Sequence, residues 1–129
     1  MATKIMTPRK LLWVDGLAGA TVGVAMLLLE RWLRDFYQLP LNLYLLISLA
    51  NLAYGCYSLT LASRAKRPKF LILLLIVANL TWAALCARWV FVYATTASFF
   101  GLAHLLAEAL FVGGLACVEW RWREQLQTT

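Results

Sequence analysis

The chain has 129 residues, 63% of them hydrophobic and 14% charged, with 12 Lys and Arg against 6 Asp and Glu. Soluble domains carry about 25% charged residues, so a water-soluble fold is excluded, and these residues leave no segment for a nucleotide-binding, receptor or soluble catalytic domain. The net charge of +6 does not indicate nucleic-acid binding, because the basic residues flank apolar runs and no folded element presents them together.

The first apolar run, Leu11 to Leu29, is broken only by Asp15 and ends at the interfacial anchor Glu30-Arg31-Trp32. It predicts a membrane helix over residues 11–33. Lys4, Arg9 and Lys10 resemble the basic start of a leader, but Asp15 interrupts the apolar region and no A-x-A cleavage pattern follows. A retained helix is therefore expected. Asp15 sits where it could cap the start of that helix or face its interior.

The second run, Leu41 to Ala62, carries no charge, and Pro40 precedes it as a helix-starting residue. A helix is predicted over 40–63. Tyr44, Ser48, Asn51, Gly55 and Ser58 recur at three- and four-residue spacing, which places them on one polar, small-residue face. The third run starts after Pro68, stays uncharged from Phe70 to Ala87 and continues past Arg88 to Tyr93, predicting a helix over 69–93. Its inward face is Asn79, Trp82, Ala83 and Cys86. Arg88 lies on the opposite side, where its long stem can snorkel to the interface. The second and third runs share a pattern, an Asn at mid-membrane with an aromatic three residues later: Asn51 with Tyr54, and Asn79 with Trp82.

The fourth run, Ala97 to Val118, predicts a helix over 97–120 and contains one acid, Glu108. A carboxyl group at that depth is costly and turns toward a partner, a cavity or a pathway. His104 lies one turn earlier on the same face. About 20 apolar residues span the hydrocarbon core. The expected fold is therefore an all-α membrane protein, an antiparallel bundle of four transmembrane helices joined by short links. Gly19 and Gly23 have the spacing that permits close helix approach, which suits packing within the bundle.

Nine of the twelve basic residues (Lys4, Arg9, Lys10, Arg64, Lys66, Arg67, Lys69, Arg121 and Arg123) fall on one side of this arrangement, against Arg31, Arg34 and Arg88 on the other. The positive-inside rule then puts both termini in the cytoplasm, and a bacterial inner membrane is the expected setting. Membrane lipids are expected partners, since the basic loop faces anionic headgroups. A homodimer would suit so narrow a bundle, although no interface is legible.

At about 1.5 Å per residue, Glu108 and Asn51 fall ~17 Å from the outer boundary, Asn79, Tyr54 and Asp15 ~21–24 Å, and His104 ~8–12 Å. The polar groups thus form a ladder through the membrane. The offset of about 12 Å between Asp15 and His104 argues against a shared metal ion. A single histidine excludes bis-histidine haem within one chain, and Cys56, Cys86 and Cys117 show no C-x-x-C spacing. No catalytic triad order, phosphate loop or zincin motif is present, so no cofactor is expected.

These features favour a non-enzymatic protein that binds a small lipophilic or cationic ligand in an intramembrane pocket lined by Glu108, His104, Asn51, Asn79, Tyr54 and Asp15, with transport left open. A neutral or ion-paired Glu108 can exchange partners without leaving a bare charge in lipid. Two alternatives stay open. One is an intramembrane enzyme acting on a lipid-like substrate with His104 and Glu108 as acid and base. The other is an accessory or assembly subunit whose polar residues only hold the bundle together.

Overall fold

The computed structural model describes residues 8–127; Lys4, one of the basic residues counted above, lies outside them. The described residues are helical throughout, with no strand: α1 (Pro8–Leu28), α2 (Glu30–Tyr37), α3 (Leu41–Ser63), α4 (Lys69–Val92), α5 (Phe99–Arg121) and a short 3-10 turn (Gln125–Gln127). α1, α3, α4 and α5 are long and apolar enough to cross a membrane, and pack together as a four-helix bundle of a multi-pass membrane protein. Outward faces carry large apolar side chains such as Leu28, Phe70, Phe91, Phe99 and Leu110, while Asp15, Asn51, Asn79, Glu108 and Glu119 are buried. Acyl chains offer no hydrogen bonds, so polar side chains must find partners inside.

The helix expected over 11–33 is divided. α1 ends at Leu28, and one residue, Leu29, separates it from the amphipathic α2. The cause is the polar set Glu30, Arg31, Arg34 and Asp35, which can stay helical but cannot lie in hydrocarbon. Glu30 and Arg34 form an i, i+4 ion pair at 3.2 Å. On the apolar side, Trp32 stacks on Phe36 and Phe36 on Phe100 of α5. Gln38 closes α2 in the left-handed conformation. The last carbonyls of α2 then serve α5: Ser98 donates its N–H to the Tyr37 carbonyl at 2.9 Å and its hydroxyl to the Phe36 carbonyl at 2.6 Å. Tyr37 is thereby fixed above the start of α5.

The four long helices associate as two close pairs, α1 with α3 and α4 with α5. The first pair is closest because small residues meet backbone. A Cβ at Gly19 would lie 2.8 Å from the Asn51 carbonyl, one at Gly23 would lie 2.7 Å from Leu52 N, and one at Gly55 would collide with Ala20 N. The Gly19/Gly23 spacing therefore serves packing within the chain. Between the pairs, tyrosines span from side chain to backbone: Tyr54 donates to the Ala78 carbonyl at 3.1 Å and Tyr57 to the Leu71 carbonyl at 2.9 Å.

The basic end is closed by the C-terminal turn. Leu126 is buried among Leu12, Leu61, Ile72, Leu75 and Ile76. The buried Arg67 side chain donates to the carbonyls of Leu126, Leu61 and Arg64, and its N–H to Gln127 at 2.8 Å. Burial and the neighbouring Arg9 both press its pKa downward.

The glycine contacts give a paired test. Gly55→Ala should lower stability by about 1–3 kcal/mol, the usual cost of overpacking. Gly114→Ala, where an added Cβ meets nothing within 4 Å, should be neutral or stabilise by up to about 1 kcal/mol through helix propensity. Reversible unfolding in micelles reads both, and equal effects at the two positions would contradict this packing.

Candidate functional site

Glu108 points into the bundle and is ligated on both oxygens. Its Oε1 accepts from Asn51 Nδ2 of α3 at 2.5 Å and from Trp82 Nε1 of α4 at 2.9 Å. Its Oε2 lies 2.9 Å from Nε2 of His104, one turn earlier on α5. The other histidine nitrogen, Nδ1, is 3.1 Å from the hydroxyl of Tyr37. Burial, and then the charge of Glu108, push the Tyr37 phenol above its ordinary range, so it stays a donor. If Tyr37 donates to Nδ1, the Nε2–H is free to donate to Glu108. A chain Tyr37–His104–Glu108 thus runs from the α2 end of the bundle inward.

A second polar node lies deeper toward the basic end. Asn79 Nδ2 of α4 donates to Glu119 Oε1 of α5 at 2.8 Å and to Asp15 Oδ2 of α1 at 3.3 Å. Glu119 is fully buried and Asp15 is 6% exposed. Ser58 of α3 lies beside Asp15. Asp15 therefore does not cap α1; it faces across the interior to α4 and α5.

A cavity of about 260 Å³ connects the nodes, and Asp15, Asn51, Tyr54, Asn79, His104 and Glu108 all line it. The six residues singled out from the sequence therefore surround one space, with the ladder resolved into a cluster at each end. Tyr54, Trp82 and Phe111 supply aromatic walls. Ala18 and Val22 of α1 face Ala107 and Phe111 of α5 along a seam where those helices touch little. Arg88 is exposed on the outer surface and takes no part.

The roles of three residues are not legible in the sequence. Trp82 stands on the expected inward face of its helix, but that spacing does not show that it donates to Glu108. Tyr37 lies beyond the helix expected over 11–33, because hydropathy does not show α2 as a separate helix. Glu119 falls just past the apolar run Ala97 to Val118 and is not singled out by it, although it lies 11 residues beyond Glu108, three full turns along the same helix face. That spacing was the available signal. The shared Asn patterns of α3 and α4 acquire a meaning here: each asparagine donates to a different glutamate of α5. Against family models, curated proteins and solved structures, the chain finds no match.

The Asn51–Glu108 bond should be measurable as coupling. Asn51→Leu should destabilise the protein by about 1–2 kcal/mol, the range for polar contacts between membrane helices. In a Glu108→Leu background the same change should cost much less, since the acceptor it strands is already gone. Equal costs in both backgrounds would show that the two residues are not coupled.

Proposed function

We propose that this protein binds a small lipophilic cation in the cavity between α1, α3, α4 and α5. The observation that carries the reading is the composition of the cavity wall: acidic side chains at each end and three aromatic rings between them. Carboxylates supply charge, and the faces of Trp and Tyr attract cations strongly when water is excluded. Apolar surface from Ala18, Val22, Phe111 and Val112 suits the hydrocarbon part of such a guest. The volume is that of a site for a small molecule, slightly below the range typical for drug-sized ligands.

Entry is along the α1–α5 seam, from the lipid side, where Ala18 and Ala107 present only methyl groups. The Tyr37–His104–Glu108 chain provides a route for proton adjustment from the α2 end as charge enters. The charge bias supports an orientation with both termini cytoplasmic, in a bacterial inner membrane. The cavity beside Glu108 favours binding over a purely structural role for the polar residues. Transport would require a second arrangement of the helices with the opposite opening.

Ala107→Trp should fill the rim while leaving the hydrogen-bonded nodes intact. In lipid nanodiscs, saturable binding of benzylamine at neutral pH, followed by calorimetry, should be lost or weakened at least about tenfold, with helicity unchanged. Binding unaffected by this variant, or never saturable in the native protein, would refute the assignment.

A further inference from the structure

The two ends of the cavity differ in how well their acids are satisfied. Glu108 accepts from Asn51 and Trp82 and has His104 Nε2 2.9 Å from its second oxygen. At the other end, Asp15 and Glu119 together share one amide nitrogen, that of Asn79. Glu119 Oε2 and Ser58 Oγ are the buried side-chain oxygens among the described residues that lack a hydrogen-bond partner. Both residues are 0% exposed, and both lie beside Asp15.

The groups facing the acidic pair are Ser58 and Tyr54 from α3 and Asn79 from α4, with Asp15 and Glu119 themselves from α1 and α5. No Lys or Arg of the described residues forms an ion pair with either acid. Two adjacent carboxylates in a dry interior repel each other and cannot hydrogen-bond, whereas a carboxylic acid beside a carboxylate can. The orphaned oxygen of Glu119, beside Asp15, stands where the second oxygen of such a pair would be.

We propose that Asp15 and Glu119 form a cation site that holds one shared proton when the cavity is empty and gives it up to an entering cationic group. In the empty state the proton bridges the two carboxyls and Asn79 fixes their outer oxygens. On exchange, one carboxylic O–H bond breaks, the proton passes to water, and the cation meets the pair through the Asp15 carboxylate, with the charge of Glu119 behind it. Asp15 lines the cavity and Glu119 stands behind it, so the pair is the charge-recognising end. Glu108, already supplied with donors, is the anchoring end. The shared proton stands on the pair's geometry alone; its displacement rests on the cavity binding a cation.

The test is infrared spectroscopy of the full chain in lipid nanodiscs at neutral pH, following the C=O stretch of a protonated carboxyl group. The native protein should show such a band, Asp15→Asn and Glu119→Gln should each lose it, and Glu108→Gln should keep it. Folding of each variant is read by helicity and elution as a single species, and either of the two pair variants suffices. No band in the native protein, or a band that survives both pair substitutions, overturns the shared proton. Benzylamine and sodium chloride are then added separately, with a pH dye reporting release. Loss of the band with release of a proton on benzylamine identifies an organic cation, and the same response to sodium chloride identifies a metal cation. Saturable benzylamine binding that leaves the band intact overturns the exchange. A band that persists because no cation binds at all overturns the binding reading and leaves the shared proton standing.

Discussion

A carboxyl group inside a membrane protein must be turned away from acyl chains and given partners, and this bundle is organised around meeting that demand twice. Glu108 and Glu119 both project from α5, and each is met by an asparagine from a different helix. Asn51 brings the α1–α3 pair to α5, and Asn79 ties α4 and α5 to Asp15 of α1. With no hydrophobic force between helices in lipid, association depends on close packing and on such interhelical bonds. The small-residue contact of α1 with α3 supplies the packing; the two acidic nodes supply the connection across the bundle.

The arrangement also explains why a cavity lies where it does. Glycines draw α1 and α3 together, while tyrosines and asparagines, with longer reach, bridge the two pairs at larger separation. Space is left along the α1–α5 seam, where side chains are small. The interior is closed above by α2, whose last carbonyls hold Ser98, and at the basic end by Leu126 and Arg67. The cavity itself is lined mostly by apolar side chains, with Asp15 and Glu108 on its wall.

Much of this was legible in the sequence, for a physical reason. Helical periodicity fixes faces, so Tyr44, Ser48, Asn51, Gly55 and Ser58 were readable as one stripe, and all five are buried. His104 with Glu108 followed from i, i+4 spacing. Pairing between helices was not readable, because it depends on Gly55 meeting Ala20 and Gly19 meeting Asn51, a register between distant segments. Glu119 was hidden by its place near the end of an apolar run, where an acid ordinarily reaches headgroups. Tyr37 was hidden because a break at Leu29 returns α2 to the top of α5, and one-dimensional hydropathy does not record such a return.

The account stands on the cavity being a place where a small cation resides. Native mass spectrometry of the protein released from its own membranes tests this most directly. The account predicts one small organic cation travelling with each chain and leaving on acidification, as protons regain the carboxyls. A bare chain, or one accompanied by phospholipid alone at every pH, would contradict it.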